Sequence, residues 1–214
     1  MNRTLVTAWA ASAAIFISSA AQAAPLITGS SVDLAGYVQA VGSTTLNNAT
    51  GLDFVSGPGG TASPGVAGTV ATYGSGTGSL AGFNCAGGSC GTISDITNFV
   101  VGAQSITNFF NLTGGNNASP IAFDLTGINS INRSDPNFLT FSASGNIRYD
   151  GFDPTPAIFL FSAQGTTATS FSATTIALSA VPEPATWAMM LFGFGTIGGA
   201  LRRRPKVATR VRYV

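Results

Sequence analysis

Apolar residues recur at every second position through the later part of the chain: Ile121, Phe123 and Leu125; Leu139, Phe141 and Ala143; Phe159, Phe161 and Ala163. A period of two is that of a strand with one buried face. Further strands are predicted over Tyr37 to Val41, Leu52 to Val55, Ile93 to Val100, Ile106 to Leu112, Ile147 to Tyr149 and Ser170 to Leu178. Turn-forming sequence separates them, as in Gly114-Gly115-Asn116-Asn117 and Asp153-Pro154-Thr155-Pro156. Between Ser56 and Gly91, 12 of 36 residues are glycine, which leaves room for loops and short strands but not for long helices. About eight to ten short strands joined by such turns predict an all-β fold, an antiparallel β-sandwich of jelly-roll or Ig-like form.

Two apolar runs near the ends break this pattern. Met1-Asn2-Arg3 is a short positive start, Leu5 to Ala20 is apolar and alanine-rich, and Ala21-Gln22-Ala23 fits the small-x-small rule for signal cleavage after Ala23. An uncleaved N-terminal anchor is the alternative. At the other end, 17 residues from Ala185 to Leu201 carry no charge. As a helix they reach about 26 Å, enough for a thin bilayer. The basic cluster behind them, Arg202, Arg203, Arg204 and Lys206, resists translocation and would stay in the cytoplasm, with Glu183 and the body of the chain on the far side. Pro182 and Pro184 bracket Glu183 and keep the approach to this run extended, the form a processing enzyme docks. A permanent single-pass anchor or a buried C-terminal helix are the competing readings. The expected organisation is a signal peptide at 1–23 and an exported β-sandwich domain at 24–180. A sorting signal with a transmembrane helix and basic cluster follows at 181–206, then a short cytoplasmic tail at 207–214.

The run Pro182-Glu183-Pro184-Ala185-Thr186-Trp187-Ala188, followed by the apolar span and the arginines, resembles the PEP-CTERM sorting signal in its P-E-P-x-x-W-A variant, carried here by Pro182, Glu183, Pro184, Trp187 and Ala188. The resemblance covers about 25 of the 214 residues. It implies export from a Gram-negative cell, recognition by an integral-membrane exosortase, removal of the tail, and release to the outer surface or extracellular matrix. The residues after Lys206, with Arg210 and Arg212 among them, run past the abrupt stop usual in that family.

Charge changes the picture of the body. Between Ala24 and Ala180, seven aspartates stand against Arg133 and Arg148, a net charge of −5, which argues against nucleic-acid binding. That segment has no histidine, lysine or glutamate, so Ser-His-Asp, Cys-His, His-zinc and lysine-nucleophile chemistry are all excluded. What remains is aspartate chemistry, and Asp150 and Asp153 are the closest pair. Beside Gly151 and Pro154 they read first as a turn, then as a calcium loop, and last as a catalytic pair. No catalytic residue, metal or other cofactor is expected. Cys85 and Cys90 enclose a small glycine-rich loop and read as a disulfide in an exported chain. Phenylalanine is read as core rather than as a sugar-stacking platform, because it alternates inward and has no polar handle.

The expected function is that of a noncatalytic exported surface or extracellular-matrix protein, associated with exopolysaccharide or biofilm and processed at its C-terminal motif. Signal peptidase and exosortase are its processing partners, the inner membrane holds it transiently as a precursor, and extracellular polysaccharide surrounds the product. The alternative is a glycan-binding module or adhesin, calcium-dependent in one version.

Overall fold

A computed structural model describes residues 23–58, 60, 65–71, 76–85, 89–113, 119–135, 137–165, 169–178 and 184–202. The expected signal helix, Ala21, Pro182, Glu183, Arg203, Arg204 and Lys206 lie outside the described residues.

Nine strands form among the described residues: β1 Ser31–Val41, β2 Gly51–Val55, β3 Gly68–Ala71, β4 Gly91–Ile93, β5 Gly102–Leu112, β6 Ile121–Asp135, β7 Phe138–Tyr149, β8 Thr155–Gln164 and β9 Thr169–Ala177. The strand expected over Ile93 to Val100 is corrected: it ends at Ile93, and beyond it Ile96 makes only an isolated bridge to Leu52. From β3 to β9 each strand pairs antiparallel with the next. The first strand then closes the sheet. Along Ser31 to Val38, β1 pairs with β9, while its other edge pairs with β3 at Ala35 and Gly36 and with β2 from Tyr37 to Val41. The result is a barrel-like antiparallel sheet of eight strands, with β2 as an added strand on β1. This corrects the expected two-layer sandwich. Inward-outward alternation is the same in both architectures, and the pairing that separates them joins strands over a hundred residues apart. Closure also leaves few exposed strand edges for another chain to pair with.

An eight-stranded barrel is just wide enough for side chains to fill its interior. Here phenylalanine fills it. Phe54, Phe109, Phe110, Phe123, Phe141, Phe159, Phe161 and Phe171 are all buried. Rings meet edge-on, as Phe109 and Phe159 do at 5.3 Å, or stacked, as Phe141 and Phe161 do at 4.7 Å. Each fully buried ring contributes about 1.5–3 kcal/mol by area removed from water. Glycine makes room for this packing at Gly145, where a Cβ would sit 2.2 Å from the Asp124 carbonyl oxygen and 2.4 Å from the Phe123 ring.

Cys85 and Cys90 form the disulfide, with their Cα atoms 5.8 Å apart. Cys90 also ties two strands together: its N–H donates to the Val70 carbonyl on β3, and its carbonyl accepts from the Thr113 N–H just past β5.

The apolar tail forms one helix, α1 Pro184–Arg202, with proline in its first turn, where no N–H is needed. Its 19 residues give a length of about 28 Å. Among the described residues, no helix is long and apolar enough to cross a membrane. The expected transmembrane span over Ala185 to Leu201 is corrected accordingly. Gly193, Gly195, Gly198, Gly199, Thr186 and Thr196 dilute the apolar content that Leu191, Phe192, Phe194, Ile197 and Leu201 supply.

Candidate functional site

Among the described residues, two places carry chemistry beyond packing. One is a surface groove of 540 Å³ over β5, β6 and β7, and the other is the tail helix.

The groove begins with an irregularity in β5. Ile106 pairs with Leu125 and Phe110 with Phe123, so β5 carries extra residues there, a bulge. It resets the alternation, which is why adjacent Phe109 and Phe110 are both buried. Asn108 lies in it with φ of +53°, a conformation asparagine tolerates better than most residues. Its N–H donates to Asp124 Oδ1 at 2.8 Å, and its carbonyl accepts from the Ser94 hydroxyl at 3.2 Å.

Arg148 on β7 completes the network. Its Nε donates to Asp124 Oδ2 at 2.7 Å, and its Nη2 donates to Asp124 Oδ1 at 3.1 Å and to Asn108 Oδ1. The guanidinium hydrogen bonds hold the Asp124 carboxyl below the usual carboxylate range; partial burial opposes them and the Asn108 N–H assists. The same pairing raises Arg148. Among the described residues, Arg148 Nη1 has no partner, and Asn111 Oδ1, also lining the groove, is shielded from solvent and bonded to nothing.

The far wall is the turn after β7. The Phe152 N–H donates to the Tyr149 carbonyl at 3.1 Å around Gly151, whose φ of +82° suits glycine. This stacks the Tyr149 and Phe152 rings 5.8 Å apart and 15° from parallel. Asp150 Oδ2 accepts from the Ser119 hydroxyl at 3.2 Å. At Asp153 the backbone is engaged: its N–H donates to the Ala24 carbonyl and its own carbonyl accepts from Thr155. Asp150 and Asp153 thus serve a turn, as their setting beside glycine and proline predicts. Among the described residues, no three of Cys, Asp and Glu gather as a metal set. Asp95 is likewise structural, accepting from the Phe54 and Gly65 N–H groups at 2.9 and 2.6 Å.

Composition and motif reading pass over Asn108, Asn111, Arg148, Tyr149 and Phe152 as a group. One signal was present: Arg148 is one of two cations in a body of seven aspartates. The other, Arg133, stays structural. Its guanidinium donates to the carbonyls of Asn47, Ala49 and Phe99 and lies 4.9 Å from the Phe99 ring centroid.

On the tail, Trp187 and Ala188 lie in the early turns of α1 and are exposed, and Arg202 is its last residue. Met189, Leu191, Phe192, Phe194 and Ile197 are exposed as well, so the helix presents apolar side chains rather than burying them. The Thr196 hydroxyl turns back to the Gly193 carbonyl at 2.8 Å, which satisfies it within the helix. Residues 180–204 match the family model described as the PEP-CTERM protein-sorting motif. The chain carries a PEP-CTERM sorting motif at its C-terminal end. Comparison with curated proteins and with solved structures gives no match. The PEP-CTERM motif marks the chain as an exported protein processed by an exosortase, held at the membrane as a precursor and then delivered to the cell surface. Ala23, where the expected signal cleavage falls, is exposed. Folded contacts begin immediately after it, with Ala24 bonded to Asp153 and the Leu26 N–H donating to Thr155 Oγ1 at 2.9 Å.

Proposed function

We propose that this is a noncatalytic surface or extracellular-matrix protein of a Gram-negative cell, cut first after Ala23 and then near Pro182-Glu183-Pro184. The sorting motif at 180–204 carries the reading. Its noncatalytic part rests on a body without histidine, lysine or glutamate, whose aspartates serve turns, strand contacts and one ion pair. Residence among exopolysaccharide suits a surface of serine, threonine and asparagine with little charge to attract or repel polymers.

The tail helix fits a removable handle better than a lasting anchor. Its apolar side chains favour the bilayer, while the glycines and threonines weaken that preference. Arg202, Arg203, Arg204 and Lys206 add attraction to anionic headgroups and fix the cytoplasmic side. A segment held this weakly is readily passed to an integral-membrane enzyme. Signal peptidase and exosortase are then its two processing partners.

Cell fractionation with intact-mass analysis tests this. The expected product begins at Ala24, ends upstream of α1, and is recovered from the cell surface or the medium. Full-length chain remaining in the cytoplasm would overturn the proposal.

A further inference from the structure

We infer that the groove over β5, β6 and β7 is a carbohydrate-binding site that takes one hexose unit of a neutral polysaccharide. The inference goes beyond sorting and does not depend on it, because a groove binds its ligand wherever the domain resides. Three observations converge. Tyr149 and Phe152 are both half-buried and line the groove, in a body whose other phenylalanine rings mostly fill the barrel. The C–H face of a sugar ring packs against such an aromatic surface. In the same lining, Arg148 Nη1 supplies an unused donor and Asn111 Oδ1 an unused acceptor, the complement of sugar hydroxyls. Leaving a shielded amide oxygen unbonded is unfavourable, and rotation of the Asn111 side chain toward the groove lets a ligand hydroxyl satisfy it. Finally, the wall that presents these groups is fixed from behind by the Arg148–Asp124–Asn108 network, so little order is lost on binding.

Charge selects the class of sugar. Asp124 neutralises Arg148, and Asp150 at the rim leaves the groove with a net negative charge within a body of −5. Uronate, sulfate and phosphate groups are therefore disfavoured, and uncharged hexoses are preferred. A concave, open site with a few placed polar groups and one aromatic wall suits an internal residue of a polymer, whose neighbours continue into solvent at either side.

Affinity electrophoresis of the full chain in a non-ionic detergent tests this, in native gels containing hydroxyethyl cellulose, galactomannan, dextran or alginate. The expected result is retardation in at least one neutral polymer and none in alginate. Asn111→Ala and Phe152→Ala, each shown to keep a cooperative thermal transition, should each weaken the retardation at least fivefold. Free migration in all three neutral gels, retardation confined to alginate, or undiminished retardation in both variants would overturn the inference.

Discussion

At the scale of single residues, the Asp124–Arg148 pair shows how much one contact contributes. Both side chains are partly exposed, at 25% and 41%, so solvent screens the pair and its worth is about 0.5–1 kcal/mol. Because the Asp124 carboxyl is held below its unfolded value of about 3.9, its contribution is complete above that pH and is lost as pH falls through the lower folded value. Asp124→Asn should therefore destabilise the protein by that amount at pH 7. The gap between variant and wild type should close below about pH 4, as urea melts across pH will show. Gly145 is a second case. Any Cβ there meets the Asp124 carbonyl oxygen, a backbone atom that cannot swing aside, so the sheet itself has to shift. Gly145→Ala is expected to cost about 1–3 kcal/mol, the range for overpacking. A fall in urea midpoint with unchanged slope would confirm it.

At the scale of elements, most strands were legible, though β3 was not placed and the strand expected over Ile93 to Val100 ends at Ile93; strand extent was less legible. The inward residues of β7, β8 and β9 alternate without a break, and their strands lie where the alternation places them. The first half of β1 was missed, although Val32 and Leu34 alternate inward, because Gly36 interrupts the run. Gly36 is there for packing: a Cβ would come 2.7 Å from the Phe171 ring. The outer half of β6, from Thr126 to Asp135, was missed for the opposite reason. Its apolar residues, buried Ile128 and half-buried Ile131, stand three apart across register shifts in the pairing with β7, and polar contacts such as the Ser130–Ser142 hydroxyl bond at 2.8 Å hold the rest, so no period of two shows. The groove was hidden because it depends on a bulge that brings Asn108 beside Arg148, forty residues away. The core, by contrast, was legible as phenylalanine. Phe159, in ring contact with Phe109, Phe110, Phe123, Phe141 and Phe161, is its centre. Phe159→Ala should cost about 3–5 kcal/mol, since so crowded a site cannot collapse fully around the void. Urea or thermal unfolding of the variant measures it.

At the scale of the whole molecule, the barrel and the tail obey opposite rules. The barrel closes when β1 meets β9, and its contacts run from Ala24, whose carbonyl accepts from Asp153, through buried Leu26 to Leu178, whose N–H donates to the Pro156 carbonyl. The tail buries nothing comparable: Leu191, Phe192 and Phe194 are each about 70% exposed, a surface that is poorly soluble in water unless lipid, detergent or a protein covers it. In the proposed sorting, removing the tail is expected to convert a membrane-associated chain into a soluble one without touching the fold. In a Triton X-114 phase separation, the chain bearing residues 184–202 should enter the detergent phase, and a chain ending at Ala180 should stay in the aqueous phase with the same melting temperature. Asp substituted at Leu191, Phe194 and Ile197 together should return the full-length chain to the aqueous phase, since three charges on the exposed apolar surface oppose its cover by detergent. Detergent-phase recovery of the truncated chain would instead place the membrane affinity in the barrel.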